Sequence, residues 1–206
     1  MDYAACLALQ RELHGDVAAG RHPGLILSVE HPPVLTLGRN AEEKHLKFAE
    51  PYLRSLGVEL HRIERGGEVT AHEPGQLVVY PVVRLADYGL MPRLYVRLLE
   101  DAVASTLARF GITAGPDPEH PGVWVGREKI CAVGIRIKDR ASMHGIALNV
   151  CNGLELFGLI VPCGIAGRGV TSVSRLLGRR VEVGEVKDLL TGEIQTRMRA
   201  SVASKN

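Results

Sequence analysis

The sequence predicts an α+β protein with a mixed or antiparallel sheet flanked by helices. Three observations predict it. Apolar runs of strand length come in groups, at residues 25–29, 34–37, 58–63 and 77–83 and again at 123–125, 129–138 and 144–150. Helix-periodic stretches stand between and around those groups instead of alternating with single strands, as a doubly wound parallel sheet would require. The last group is joined by turns too short for crossovers, Gly126-Arg127-Glu128 and Asp139-Arg140-Ala141, which makes it an antiparallel meander.

Each element has a local cause. Residues 3–19 carry Ala5, Leu9, Leu13 and Val17 at helical spacing with Arg11, Glu12 and Asp16 off that face, an amphipathic helix that Gly20 and Pro23-Gly24 end. Strand 25–29 follows, Pro32-Pro33 break the chain, and 34–37 resumes it before Gly38. The charged stretch 40–56 is helical in pieces and closes at Gly57. Between strands 58–63 and 77–83 lies Arg65-Gly66-Gly67-Glu68-Val69-Thr70-Ala71-His72-Glu73-Pro74-Gly75-Gln76. Its paired glycines let the backbone approach a ligand or take positive φ; as a bare sequence it also reads as a glycine turn between two strands. Residues 92–110 form the best helix, with Tyr95, Leu99, Ala102, Val103 and Thr106 on one face and Gly111 ending it. A short helix at 171–177 and a last helix at 183–199, with Val186, Leu189/Leu190, Ile194 and Met198 inward, complete the chain.

Composition narrows the function. A chain of 206 residues suits one sizeable core, read as a single domain over 1–206. A net charge of +2 gives no reason to expect nucleic acid, and Arg179-Arg180 reads as a solvated pair. No apolar run reaches the length of a membrane span, and the start Met-Asp-Tyr-Ala lacks a signal peptide's basic and apolar regions. The four cysteines form no C-x-x-C pair, so neither a zinc knuckle nor a disulfide framework is expected, and the protein reads as reduced and cytoplasmic. Phosphate-binding signatures are missing, the glycines of Gly164-Ile165-Ala166-Gly167-Arg168-Gly169 are in the wrong order for a dinucleotide fingerprint, and no histidine spacing suits a metal. No cofactor is expected.

Two residues could carry chemistry. Cys163 lies in Val161-Pro162-Cys163-Gly164-Ile165, where proline fixes the approach and glycine leaves the next amide open to an oxyanion. Lys129 opens the long strand of the meander; it is either a solvent-facing residue at a strand's start or a cation that raises the thiolate fraction of a cysteine. His72 and His144 are alternative bases, His144 reading equally as a histidine hydrogen-bonded within a sheet. Cys6, Cys131 and Cys151 read as small core residues.

Several blocks, in register, resemble lipoyl(octanoyl) transferases: Glu30 to Gly38, Arg65 to Gln76, Gly122-Val123-Trp124-Val125, Lys129-Ile130-Cys131-Ala132-Val133-Gly134, His144 to Val150 and Pro162-Cys163-Gly164. The resemblance implies a fold shared with lipoate and biotin protein ligases. It implies transfer of octanoyl from octanoyl-acyl carrier protein, by way of a thioester on Cys163, to a lysine on lipoyl domains of 2-oxoacid dehydrogenase E2 subunits and the glycine cleavage H protein. Lys129 would lower the pKa of Cys163 and shuttle protons. The acyl pocket would be lined by Arg65, Gly66, Gly67, Glu68, Val69, Thr70, Ala71 and His72, by Ala132, Val133 and Gly134, and by Gly145, Ile146 and Ala147. Ala71 and Glu73 stand where the family usually has tyrosine and glycine. The rival readings are an ATP-dependent ligase of the same fold and an acyl-binding module without catalysis.

Overall fold

The computed structural model describes residues 1–161 and 168–203. In chain order the elements are α1 (Tyr3–Ala18), β1 (Leu25–Val29), β2 (Val34–Leu37), α2 (Glu50–Ser55), β3 (Glu59–Arg62), β4 (Val69–His72), β5 (Gln76–Val82), α3 (Pro92–Ala108), β6 (Gly115–Pro116), β7 (Val123–Val125), β8 (Glu128–Lys138), β9 (Ala141–Asn149), β10 (Gly169–Val170), α4 (Val173–Leu177) and α5 (Val183–Ala203).

The meander forms as its turns dictate. Asp139 and Arg140, at φ 48° and 66°, close the β8–β9 hairpin in a two-residue turn whose twist matches the strands it joins. The main sheet runs β1-β5-β9-β8-β7-β6, with neighbours antiparallel along that path, and β10 lies parallel to the start of β8. A second sheet, β3-β2-β4, pairs β2 parallel to β3 and antiparallel to β4. The architecture is therefore α+β with mixed and antiparallel pairing, as expected.

One face of the main sheet is closed by α3 and α5. Leu77, Val79, Ile130, Ile146 and Leu148 from the strands meet Tyr95, Leu99, Val103, Leu190 and Ile194 from the helices in one apolar cluster. Pro92 opens α3, where a missing N–H costs nothing. The opposite face is shared by α1 and the small sheet, and the functional site opens there.

Two expectations change. Residues 69–72, read as part of a glycine turn, are strand β4, because Val69 and Ala71 bury against Leu35, Leu37 and Leu53. The inward face of α1 is also rotated: Tyr3, Cys6, Leu7, Gln10, His14 and Val17 are buried, whereas Ala5 is exposed. Pro81 supplies the reason. The β5–β9 register, extended one step past Gly145, would set His144 opposite Pro81, which has no N–H to offer the ladder. Pairing stops there, His144 takes a left-handed φ of 58°, and its N–H donates to Gln10 Oε1 at 2.9 Å instead. His14 Nε2 lies 3.0 Å from the Lys138 carbonyl oxygen. These polar side chains are buried because they complete the backbone bonding of the sheet they cover.

Candidate active site

A cavity of about 420 Å³ lies between the β5–β9–β8 face and the small sheet. Its floor is Val78, Tyr80 and the paired segments Ala132-Val133-Gly134-Ile135 and His144-Gly145-Ile146-Ala147. Its opposite wall is Arg65 to Thr70 and His72, with Tyr3 of α1 closing one side. Every residue that the resemblance placed in an acyl pocket lines this cavity except Ala71, whose side chain points away into the small sheet's own core. Strand alternation explains this, since Thr70 and His72 take the cavity side.

The 65–68 wall is held by Arg65. Its Nη2 donates to the Thr36 carbonyl oxygen at 2.6 Å and to Thr36 Oγ1 at 3.0 Å, and its Nη1 donates to the Gly66 carbonyl oxygen at 3.0 Å. Backbone bonds from Gly38 N to Glu68 O (2.8 Å), Asn40 N to Gly67 O (3.1 Å) and Gly66 N to Ile135 O (2.9 Å) tie the same loop to the end of β2 and to β8. A side chain at Gly134 would come within 2.9 Å of Arg65 Cδ, so glycine there is what lets the arginine cross.

Lys129 stands at the other end of this floor and is only 7% exposed, which excludes the solvent-facing reading. Its ammonium donates to the Pro121 carbonyl oxygen at 3.1 Å and lies 4.7 Å from the centre of the Trp124 ring. Gly122, at φ 133°, packs against the lysine stem, where a Cβ would meet Lys129 Cε at 3.1 Å. The Gly122 amide is fixed by Glu100 Oε1 at 2.9 Å, a carboxyl raised above its usual range by burial. Arg168 also lies over the Trp124 ring, 4.7 Å from its centre, and is paired with Asp117 at 2.5 Å.

The chain around Cys163 is anchored on both flanks. Val161 N donates to the His45 carbonyl oxygen at 2.9 Å on one side. On the other, Val170 pairs with Lys129, and Thr171 N donates to the Lys129 carbonyl oxygen at 3.0 Å. Cys163 itself lies outside the described residues, as does the Pro-Cys-Gly turn. The other three cysteines are free, and burial pushes each of their thiols up, strongly for Cys131, which makes all three poor nucleophiles near neutral pH.

Neither alternative base fits that role. His72 is enclosed, its Nδ1 2.8 Å from Gln76 Oε1, and burial pushes its pKa down to about 3. Burial, helped by the Arg65 cation, pushes His144 down to about 4. His144 is also not the hydrogen-bonded sheet histidine expected, because neither ring nitrogen has a hydrogen-bond partner among the described residues.

Two residues within the motif blocks have roles that spacing could not disclose. Gln76 Nε2 donates to Asn149 Oδ1 at 2.9 Å, and Asn149 Nδ2 to the Thr171 carbonyl oxygen at 3.0 Å, so a chain of bonds runs from His72 to the backbone beside Lys129. Glu73, where the family usually has glycine, accepts from Asn152 Nδ2 at 2.9 Å and Leu154 N at 3.0 Å and so fastens the loop after β9. Among the described residues no group of His, Cys, Asp or Glu could hold a metal, and no helix is long and apolar enough to cross a membrane.

The sequence matches the lipoyl protein ligase A/B catalytic domain family over residues 2–195. It is 43% identical over 174 residues to an octanoyltransferase of Bacteroides fragilis, covering 82% of this chain and 79% of that protein. It is 44% identical over 186 residues to an octanoyltransferase of Syntrophobacter fumaroxidans, covering 90% and 82%. Among solved structures, lipoate-protein ligase A bound with ATP superposes with a TM-score of 0.74 at 19% identity over 93% of this chain and 81% of that one, a likeness of fold. With more than two fifths of the aligned residues identical along most of both chains, the protein belongs to the lipoyl protein ligase A/B catalytic domain family and, within it, to the octanoyltransferases.

Proposed function

We propose that this protein is an acyltransferase that moves an octanoyl group from octanoyl-acyl carrier protein to a lysine of lipoyl domains, such as those of 2-oxoacid dehydrogenase E2 subunits and the glycine cleavage H protein, through a thioester on Cys163. Residues 1–206 act as one catalytic domain in this reading, and a cytoplasmic setting suits its free thiol. The observation that carries it is the buried side chain of Lys129 at one end of a cavity lined in part by glycine and alanine, with the chain on both sides of Cys163 tied down nearby. A volume of about 420 Å³ lies within the range of small-molecule sites, and the glycines and alanines among its lining residues leave room for an alkyl chain.

The steps balance without a cofactor. With Lys129 as the neutral amine, the Cys163 thiol gives it a proton and attacks the octanoyl carbonyl, and the carrier's thiolate leaves and takes that proton from Lys129. The acceptor lysine's neutral amine then attacks the Cys163 thioester, its surplus proton passes to Lys129, an amide forms, and Cys163 leaves as thiolate to be reprotonated from Lys129. Thiol exchange between thioesters is nearly isoenergetic and amide formation from a thioester is downhill, so no nucleotide is consumed. Lys129 gives and takes one proton in turn, a task that arginine, protonated throughout, cannot perform.

Intact-mass analysis tests this. Protein mixed with octanoyl-acyl carrier protein and no nucleotide should gain one hydroxylamine-sensitive octanoyl group, discharged on adding an apo lipoyl domain. Cys163→Ala should form no adduct, and Lys129→Met and Lys129→Arg should slow both loading and discharge by about a hundredfold or more. A strict requirement for ATP, with free octanoate as substrate, would transfer the protein to the ligase reading. Normal turnover by Cys163→Ala would remove the covalent step.

A further inference from the structure

The buried face of α3 carries one acid. Tyr95, Leu99, Ala102, Val103 and Leu107 pack into the apolar core, and Thr106 turns its hydroxyl onto the Ala102 carbonyl oxygen at 2.8 Å. Glu100 is buried on the same helix, at 6% exposure. A carboxyl group taken out of water costs stability unless a partner offsets the loss. Here the partner is the backbone N–H of Gly122.

The peptide group that Glu100 holds is the one that holds Lys129. Its N–H, from Gly122, donates to Glu100 Oε1 at 2.9 Å, and its carbonyl oxygen, from Pro121, accepts from Lys129 Nζ at 3.1 Å. The peptide is trans, so these two groups point in opposite directions and the acid and the lysine sit at its two edges. The two hydrogen bonds and the two peptide bonds between them put the carboxyl oxygen and the lysine nitrogen at most about 9 Å apart. A carboxylate on the N–H draws the peptide's electrons toward its carbonyl oxygen and strengthens the bond to a protonated lysine. Gly122 keeps the peptide close, since a Cβ there would meet the Cys131 carbonyl oxygen at 2.7 Å and Lys129 Cε at 3.1 Å.

Two ion pairs nearby balance internally. On α3, Arg97 pairs with Asp101 at 2.9 Å, and over the Trp124 ring Arg168 pairs with Asp117. His120 lies 6.3 Å from the same ring, Glu128 precedes Lys129 on β8, and the Cys131 thiol is buried two residues further on. Arg65 and Glu68 stand on the wall across the cavity, and Glu119 borders it beside His120. Among these acids Glu100 is the one bonded to the peptide that Lys129 uses.

We propose that Glu100, as a carboxylate, is a positioning residue for Lys129: through the Pro121–Gly122 peptide it holds the lysine nitrogen at the end of the cavity and sets the pH at which Lys129 and Cys163 give up their shared proton. An anion beside such a pair retains the proton, and removing the anion lets the proton leave at lower pH. The inference rests on reading Lys129 and Cys163 as the pair that exchanges a proton.

The test follows alkylation of Cys163 by iodoacetamide against pH, read by peptide mass so that the other three thiols do not contribute, beside the rate of loading from octanoyl-acyl carrier protein. Glu100→Gln keeps an oxygen for the Gly122 N–H and removes the charge, so the alkylation midpoint should fall by about one pH unit. Glu100→Ala removes charge and bond together; it should show the same fall and load about tenfold more slowly than Glu100→Gln at the plateau of each profile. With Lys129→Met in place, the shift caused by Glu100→Gln should shrink to under about half, because the group that transmits it is gone. If Glu100→Ala does not fold, Glu100→Gln and the double variant decide. A midpoint that stays constant in folded Glu100→Gln, or that moves equally with and without Lys129, overturns the role of Glu100, and equal plateaus for the two Glu100 variants overturn its positioning part. Wild-type protein that accepts no octanoyl while the midpoint still shifts overturns the acyl-transfer reading and keeps the coupling of Glu100 to Lys129.

Discussion

The floor of the cavity is built from an uninterrupted ladder between β8 and β9, paired from Cys131↔Leu148 to Lys138↔Ala141. The wall facing it, residues 65–68, belongs to no strand and hangs from Arg65 and a few backbone bonds. The floor's shape is thus a property of backbone geometry, and at Gly134 and Gly145 it has no room for a side chain. The wall's shape depends on one guanidinium group and is open to adjustment. For the proposed acyl pocket this would divide the labour: the rigid side would fix where a chain lies, and the hung side could follow it.

The sharpest way to break the comparison is to add one carbon to each side. Gly145→Ala puts a Cβ into the Val79 carbonyl oxygen, with Pro81 behind it and backbone on both strands unable to yield. It should cost at least about 3 kcal/mol in denaturant unfolding or prevent folding. Gly66→Ala on the wall meets only the Ile135 carbonyl oxygen at 3.3 Å and should cost well under half as much. Equal losses would mean that the two sides are alike.

Acid tests both sides at once, because His72 belongs to β4 and His144 to β9. Both have folded-state pKa values pushed below the ordinary histidine value of 6.5, to about 3 and about 4, by burial. The unfolded chain therefore binds protons that the folded protein refuses, so their contribution is whole above pH 6.5 and is lost as pH falls toward 4 and 3. These two histidines should contribute a slope of up to about two protons per molecule below pH 6, to which buried His31, also pushed down, adds, and His72→Gln should remove about one of them. An unchanged slope in that variant would mean that His72 is not buried neutral.

A smaller effect is expected from Arg65→Lys. Lysine retains the charge but cannot span Thr36 O, Thr36 Oγ1 and Gly66 O together, and should cost about 1–3 kcal/mol. Hydrogen exchange localises the loss: the amides of Gly38, Asn40 and Gly66 should exchange faster while those between β8 and β9 keep their protection. Uniform acceleration would show that the floor also depends on the arginine.

The same division decided what the sequence could disclose. The meander, α3 and α5 were legible because burial on one face imprints a period of two or of 3.6 on residues such as Val133, Ile135, Ile137, Leu99 and Ile194. β4 was hidden because Gly66-Gly67 and Pro74-Gly75 punctuate both of its ends and its burial is in the small sheet. The inward face of α1 was misjudged because Gln10 and His14 are buried for hydrogen bonding, and hydrophobic periodicity carries no record of a backbone amide left over at His144. The cavity's lining came from motif resemblance, since nothing in spacing brings Arg65 over Gly134. Glu73 looked like a departure and is a fastening for Leu154, a contact eighty-one residues apart that no local pattern encodes.

The protein has one tryptophan, and both the Lys129 ammonium and the Arg168 guanidinium lie 4.7 Å from its ring centre. Indole emission responds to nearby charge, because excitation moves electron density across the two rings of the chromophore. All tryptophan emission from this molecule therefore originates beside the proposed proton carrier and the chain that leads from Cys163. In the proposed mechanism, loss of the lysine's proton would change the field on that single ring. Its emission would then serve as an optical gauge of the reaction, read without label, coupling enzyme or substituted substrate.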